Sequence, residues 1–193
     1  MSPACSKNSL RRRVCRFVIL SGCSGGGKST LLEELGRRGH TIVEEPGRRI
    51  VREEMPEGEA LPWRDPVKFA ERLVAMARAD LANATEPQMG WTFFDRGLID
   101  ALVAHTHVTK TPLTRPPETH LFNRLAFLTP PWREIYRIDS ERQHSFEEAI
   151  AEYDRLLAAF PALGFEPIIL PKTDVEARAD FVCEALATRS ASS

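Results

Sequence analysis

The chain has 193 residues with nearly balanced charge, 26 Lys and Arg against 27 Asp and Glu, for a formal net charge of −1. This length suits one α/β domain with a continuous core, and a hydrophobic content of 42% excludes an intrinsically disordered chain. Nucleic-acid-binding grooves usually require an excess of basic residues, so we expect no nucleic-acid partner.

The first segment, residues 1–15, is predicted to be a flexible N-terminal arm, because its charges precede no hydrophobic stretch of signal-peptide length. The four cysteines of the chain lack CxxC spacing, which is not typical of a zinc site or a disulfide framework. No apolar run approaches the roughly 20 residues that span a bilayer. We therefore expect a cytoplasmic protein without a membrane partner.

Short apolar runs then alternate with amphipathic segments. Five strands are predicted, at Arg16–Ser21, His40–Glu44, Trp91–Phe94, Leu121–Leu128 and Phe165–Leu170. Helices are predicted at Lys28–Arg38, at Val67–Ala84, at Gly97–His107, around Phe146–Leu157 and after an Asp174 cap. This alternation predicts a three-layer α/β fold with a parallel sheet between helices. We expect one domain over residues 16–188 and a flexible tail at 189–193.

The most specific motif lies at residues 22–29, where Gly-Cys-Ser-Gly-Gly-Gly-Lys-Ser fits the P-loop pattern GxxxxGK[ST] in full. Glycines allow the tight turn that aims successive backbone N–H groups at phosphate oxygens. Lys28 is expected to reach the β- and γ-phosphates, and the Ser29 hydroxyl to bind Mg²⁺. A preceding strand and a following amphipathic helix make a chance match untenable. The predicted nucleotide contacts are Gly22, Ser24, Gly25, Gly26, Gly27, Lys28, Ser29 and Thr30.

Other P-loop classes lack their signatures here. A GTPase should carry DxxG and NKxD, an ABC-type ATPase carries LSGGQ, and a ring-forming AAA ATPase needs a further helical domain. None of these fits the chain. The compact, kinase-like branch remains, with a five-stranded sheet ordered 2-3-1-4-5 and ATP as the nucleotide (GTP is the alternative).

A carboxylate follows the second strand in Glu44-Glu45-Pro46-Gly47-Arg48-Arg49. The carboxyl ends of parallel strands gather around the ligand crevice, so Glu45 is predicted to orient an acceptor hydroxyl for attack on the γ-phosphate. Arg48, Arg49 and Trp63 are candidate substrate contacts. A solvated charged turn is the alternative interpretation of this segment.

The third strand ends in Asp95, in the manner of a Walker B acid. We predict that Asp95 holds Mg²⁺ directly or through water, and that Arg96 binds substrate or phosphate. The alternative is that Asp95 caps the helix beginning near Gly97.

Arginines follow the fourth strand. Arg133, Arg137 and Arg142 could close over ATP and neutralise the transferring phosphoryl group. Ordinary ion pairing on a helix surface accounts for them equally well.

Several segments together resemble a family of small P-loop ATPase and kinase-like proteins that are grouped with AAA-type ATPases by name. They are GCSGGGKST, EEPGRRIVREE, LPWRDPVKFA, FFDRGLIDA, LTPPWREIYRIDSER and LGFEPIILPKTDVEARADFV. The family is similar to the ribosylnicotinamide-kinase domain of bacterial NAD-pathway regulators. The chain also resembles deoxynucleoside kinases, whose Glu-Pro base is matched by Glu45-Pro46. Their Glu/Asp-Arg-Ser is replaced by Asp95-Arg96-Gly97. The resemblance implies that Pro171 packs on adenine.

Two functions are compatible with these features. The leading hypothesis is ATP- and Mg²⁺-dependent phosphoryl transfer to a hydroxyl of a small, nucleoside-like metabolite, which requires a closed pocket beside Glu45, Asp95 and Arg48. The alternative is an ATPase or nucleotide-dependent switch acting on a protein partner, which requires an exposed apolar patch and hydrolysis without an acceptor.

Overall fold

A computed structural model describes residues 15–55, 57–85, 87, 89–136 and 145–191. Its five strands are β1 (Phe17–Gly22), β2 (Thr41–Val43), β3 (Thr92–Asp95), β4 (Phe122–Thr129) and β5 (Glu166–Ile169). They form one sheet in the order β2-β3-β1-β4-β5, and every neighbouring pair is parallel. The predicted fold class and strand order are confirmed.

Helices connect these strands. They are α1 (Lys28–Arg37), α2 (Pro46–Glu54), α3 (Pro66–Asn83), α4 (Leu98–Thr109), α5 (Phe146–Ala162) and α6 (Val175–Ala191), with a 3₁₀ turn at Pro117–Leu121. Side-chain capping marks where α3, α5 and α6 begin, and at α3 the Asp65 carboxylate accepts a hydrogen bond from the Lys68 N–H. Ser145 and Glu148 form a reciprocal capping box at α5. Asp174 accepts a 2.8 Å hydrogen bond from the Ala177 N–H, so its predicted capping of α6 is confirmed.

The core lies on both faces of the sheet because successive side chains of a strand point in opposite directions. All six residues of β1 are buried. Phe17 and Ile19 pack into the cluster that α4 and α5 cover, whereas Val18 and Leu20 pack into the cluster that α1 and α6 cover. A continuous apolar run therefore marks β1 as the central strand of a three-layer domain.

One helix differs from the sequence-based expectation. The segment after β2, for which no helix was predicted and a solvated charged turn was the alternative interpretation, is the start of α2, with Glu45 at the N-cap position and Pro46 in the first turn. The fixed φ of proline suits this position. The charged residues hide the amphipathic pattern, because only Pro46, Ile50 and Val51 are buried.

The C-terminal boundary also differs. Helix α6 continues to Ala191, so the flexible tail expected from residue 189 begins inside a helix. Arg189 lies 2.9 Å from Glu166 in β5, which adds a tertiary contact to this last turn. No helix in the described part of the chain combines the length and apolar composition that a membrane span requires.

Candidate active site

The P-loop joins the end of β1 to α1 at the carboxyl edge of the sheet. Gly27 has φ 76° and forms the N-cap of α1, so Lys28 is the first helical residue. A Cβ on Gly27 would lie 2.7 Å from Nη1 of Arg178, and its positive φ would strain any side-chain-bearing residue. Glycine is therefore required where the chain turns into the helix.

Lys28 and Asp95 meet beneath this loop. The parallel register places Leu20 beside Asp95, and Lys28 Nζ lies 2.9 Å from Asp95 Oδ1, with the two side chains 7% and 11% exposed. The P-loop lysine and the acid that ends β3 are therefore in direct contact. Asp95 does not cap α4: the N-cap is Gly97, which has no side chain to do so.

A cavity of about 520 Å³ opens above the P-loop. Residues of the P-loop and of the start of α1 line this cavity, and so do Trp132, Thr173 and Val175. Among the described residues, four cations and one carboxylate line it, namely Lys28, Arg48, Arg96, Arg178 and Glu45. This excess of positive charge suits a polyphosphate. We call it the phosphate cavity.

Some predicted nucleotide contacts lie behind this surface. Gly22 and Gly26 are buried, and their carbonyl groups accept bonds from Arg96 (3.3 Å) and Arg178 (3.2 Å). Pro171 is exposed and does not line the cavity, whereas Thr173 and Val175 do. The adenine contact of Pro171 and its neighbours stays a prediction, with Thr173 as the nearest following residue that lines the cavity.

A second cavity, of about 170 Å³, adjoins the first. The two cavities share four lining residues, Ser24, Glu45, Arg48 and Arg96. The second is lined in addition by Asp100 and Glu152 and by an apolar wall that includes Val51, Phe69 and Leu73. We call it the acceptor cavity. It lies beside Glu45 and Arg48, two of the three residues at which the enzyme hypothesis places a closed pocket, and Asp95 does not line it.

Glu45 lies at the junction of the two cavities. Arg48 Nε donates to its Oε2 at 3.2 Å, and Arg96 Nε lies 3.7 Å from its Oε1. Burial by itself would raise the pKa of Glu45, but the nearby charges of Lys28, Arg96 and Arg48 lower it. The carboxylate is therefore ionised at neutral pH and able to accept a hydrogen bond from a hydroxyl group.

Arg96 also lies at the junction of the two cavities. Its φ of 58° is uncommon for a residue with a side chain. In this conformation, the guanidinium group of Arg96 donates hydrogen bonds to Glu152 Oε1 and to the Gly22 carbonyl. Burial by itself would lower the pKa of Arg96. The negative charges of Glu152, Glu45 and Asp100 have the larger combined effect and raise this pKa.

Other predicted site residues lie away from both cavities. Arg49 bonds to both carboxylate oxygens of Asp80, at 2.7 and 2.8 Å, because α2 is a helix that turns it towards α3. Trp63 is 43% exposed and lines neither cavity. Arg133 stacks over the ring of Phe146 at 5.3 Å. The positions of Arg49 and Trp63 therefore do not match the substrate contacts predicted for them. The position of Arg133 does not match its predicted role in a lid over ATP. Arg137 and Arg142 lie outside the described residues.

Asp100 lines the acceptor cavity but was not among the site residues predicted from the sequence. It is 6% exposed, and its Oδ1 accepts a hydrogen bond from the Ser21 hydroxyl. Its Oδ2 is buried without a hydrogen-bond partner. Burial raises the pKa of Asp100 to about 6, although Arg96 and the Ser21 hydrogen bond oppose this shift. Its place in the FFDRGLIDA segment, close after Asp95 and Arg96, was the available signal.

Arg178 was also missed. It is 3% exposed and donates to the carbonyls of Gly26 and Gly27, both at 3.2 Å. Its guanidinium group lies 5.7 Å from the ring of Trp132, and burial lowers its pKa. In the sequence it lies within the last of the segments that carry the family resemblance, in what becomes the first turn of α6.

The residues present fit a bound Mg²⁺. This ion commonly takes one or two protein oxygens and completes its shell with phosphates and water. The Ser29 side chain lines the phosphate cavity, and the Asp95 carboxylate lies behind it against Lys28. Within the described ranges no three His, Cys, Asp or Glu side chains gather as a metal cage, so any ion here would depend on the nucleotide's phosphates.

A parallel sheet ordered β2-β3-β1-β4-β5, with a P-loop after β1, defines the P-loop kinase fold. A family profile described as an AAA domain matches residues 17–178. The chain belongs to this family. The match agrees with the resemblance of its sequence motifs to those of small P-loop, kinase-like proteins. No curated protein is significantly similar to the chain in sequence.

Solved structures with this fold include three kinases. Deoxyadenosine kinase from M. mycoides, determined with dATP bound, has a TM-score of 0.60 at 16% identity and covers 89% of this chain and 99% of its own. Thymidylate kinase from Ehrlichia chaffeensis has a TM-score of 0.54 at 14% identity, with coverages of 90% and 99%. Shikimate kinase from Acinetobacter baumannii has a TM-score of 0.53 at 15% identity, with coverages of 90% and 94%. At these identities the likeness establishes the fold.

Proposed function

We propose that this protein is a cytoplasmic, Mg²⁺-dependent kinase that transfers the γ-phosphoryl group of ATP to a hydroxyl group of a small, nucleoside-like metabolite. The observation that carries the proposal is the pair of adjoining cavities. A cation-lined cavity lies on the P-loop, and a smaller, half-apolar cavity lies beside it. A phosphoryl group passing between them would cross the shared residues Glu45, Arg48 and Arg96.

On the donor side, Lys28 would exchange its bond with Asp95 for the β- and γ-phosphates. This exchange would release Asp95 to hold Mg²⁺ or its water, together with the Ser29 hydroxyl group. The bound ion would neutralise charge on the phosphate oxygens during transfer. The backbone N–H groups at the start of α1 would add their partial positive charge.

On the acceptor side, ionised Glu45 would orient the attacking hydroxyl group and accept its proton. Arg96 and Arg48 border both cavities and would balance negative charge on the transferring group. Arg178 would hold the P-loop carbonyls from behind. A closing segment with Arg137 and Arg142 stays part of the proposal.

The nucleoside-like acceptor has two supports. The acceptor cavity has an apolar wall formed in part by Phe69 and Leu73, which suits a planar or hydrophobic moiety. The fold-related deoxyadenosine kinase acts, by its name, on a nucleoside. A protein-directed ATPase or switch would have no use for a second cavity beside the P-loop.

A screen of nucleosides, sugars and related alcohols tests the proposal. ADP and phosphorylated product are followed together with Mg²⁺-ATP and wild-type protein. We expect equal amounts of ADP and phosphorylated product with at least one acceptor class. ADP that appears only with free phosphate across the panel would contradict a kinase and favour the ATPase or switch.

A further inference from the structure

The two cavities differ in charge. Two guanidinium groups, those of Arg48 and Arg96, face three carboxylates in the acceptor cavity, those of Glu45, Asp100 and Glu152. The phosphate cavity has the opposite balance among its described lining residues, with four cations and one carboxylate. An anion is therefore favoured on the P-loop side of the junction and disfavoured on the other.

Neither arginine of the acceptor cavity is available for an anionic acceptor without losing a partner. Arg48 donates to Glu45 at 3.2 Å. Arg96 donates to Glu152 and to the Gly22 carbonyl group. An acceptor phosphate or carboxylate would have to displace Glu45 or Glu152 from its arginine, and it would then lie close to the displaced carboxylate and to Asp100.

Asp100 supplies the acceptor cavity with an unused hydrogen-bond acceptor. Its side chain lines the cavity, its Oδ1 is bonded to Ser21, and its buried Oδ2 has no partner. A buried oxygen without a partner costs free energy of folding. An O–H or N–H group of a ligand would satisfy this atom, and the hydrogen bond from Ser21 holds the other oxygen of the carboxylate.

Given the proposed kinase function, we propose that Asp100 is an acceptor-recognition residue, whose free oxygen binds an O–H or N–H donor of an uncharged or cationic hydroxyl compound. The apolar wall holds the remainder of the acceptor. Glu45 and Asp100 thereby have separate tasks: the first orients the hydroxyl group that attacks, and the second binds another donor of the same molecule. Acceptors that carry phosphate or carboxylate are excluded by the cavity's charge.

Pairs of acceptors that differ in charge test the proposed exclusion of anionic acceptors. Nucleosides are compared with their 5′-monophosphates that retain a free hydroxyl group, and amino alcohols and sugars with the corresponding hydroxy acids, each with Mg²⁺-ATP. We expect kcat/KM for the uncharged or cationic member of a productive pair to exceed that for its anionic partner by at least about 100-fold. A preference for the anionic member would overturn this inference and leave the kinase function standing. If no acceptor of any charge is phosphorylated, the kinase function fails as well.

A variant tests the role of Asp100 with the best acceptor of that panel. Asp100→Asn keeps the shape and the oxygen facing Ser21 but weakens acceptance at the second position. We expect kcat/KM for the acceptor to fall on the order of 10- to 100-fold, chiefly through KM, while the Kd of a non-hydrolysable ATP analogue stays unchanged. Asp154→Asn, at an exposed position of α5, is the matched control. Unchanged acceptor kinetics, or an equal loss of nucleotide affinity, would overturn the assignment.

Discussion

Glu45 and Glu44 are adjacent carboxylates with different surroundings. Glu45 lies at the junction of both cavities, whereas Glu44 is 56% exposed and pairs with Arg52. If Glu45 orients the acceptor hydroxyl group, Glu45→Gln should lower the transfer rate by ~10²–10⁴-fold, the usual contribution of general-base assistance. ATP should still bind, because the P-loop contacts are separate.

The matched control is Glu44→Gln, which removes the same charge one residue away and should leave transfer within about twofold of wild type, as expected for an exposed ion pair. Both variants are measured by single-turnover formation of phosphorylated product. A Glu45→Gln protein as active as Glu44→Gln would remove Glu45 as the base and leave the kinase function intact.

Asp100 should also give the fold a distinctive pH dependence. Lys28, Arg96, Glu45, Glu152 and Ser21 surround its carboxyl group. Folding raises its pKa from 3.8 to about 6, so the folded state favours the protonated form. Its contribution to stability is complete below pH 3.8 and is lost as pH rises through 6.

The Asp100→Asn protein is therefore expected to be more stable than wild type at pH 7.5, by up to about 3 kcal/mol, with the difference shrinking towards pH 4.5. Urea unfolding at the two pH values measures it. An Asn variant less stable than wild type at pH 7.5 would contradict a buried, ionised carboxylate at this position. Gained stability with lost acceptor binding would identify a group retained for function.

At the scale of elements, α6 supports the P-loop through Arg178. Its two hydrogen bonds reach the carbonyls of Gly26 and Gly27 from the first turn of the helix. Arg178→Met preserves much of the side-chain length but removes the guanidinium donors to both carbonyls, while that of Gly27 keeps a bond from the Leu31 N–H. We expect a loss of about 1–3 kcal/mol in the free energy of unfolding and weaker ATP binding, because the loop geometry relaxes.

Arg189→Met is the control on the same helix, since Arg189 pairs with Glu166 at a position where the side chains are 41% and 50% exposed. Exposed pairs contribute about 0–1 kcal/mol. Urea unfolding and calorimetric ATP titration compare the two variants. Equal effects would mean that the contacts of Arg178 with the P-loop contribute nothing specific.

For the whole molecule, nucleotide binding and folding should be linked. A ligand that binds only the folded state stabilises it by RT ln(1 + [L]/Kd), about 2.7 kcal/mol at a hundredfold excess over Kd. Mg²⁺-ATP should therefore raise the Tm of the wild type by several degrees. Lys28→Ala should abolish most of this shift, because the lysine faces the phosphate cavity.

Chelating Mg²⁺ should reduce the Tm shift of the wild type as well, since the ion would be held through the nucleotide's phosphates. Differential scanning fluorimetry measures both effects. The control is Lys68→Ala, which removes a lysine at an exposed position of α3 and should keep the full shift. A full shift in Lys28→Ala would contradict the assignment of the P-loop lysine.

The sequence by itself determined the P-loop, the strand order and the Walker B-like acid. These features depend on local patterns: a glycine-rich turn between a strand and a helix, and apolar runs that only a sheet covered on both faces can bury. Glu45, Arg48 and Arg96 were also accessible, because each follows the carboxyl end of a strand, where parallel topology brings ligand contacts together.

Only the tertiary structure decided which of the remaining charges face the cavities. Arg48 and Arg49 are adjacent in sequence, yet α2 turns the first to the junction and the second to Asp80. Asp100 and Arg178 lie within quoted segments of the family resemblance, but only their burial beside elements distant in the chain shows that they line the cavities. Side-chain direction on a helix depends on where the helix packs, and that packing involves long-range contacts that local patterns do not encode.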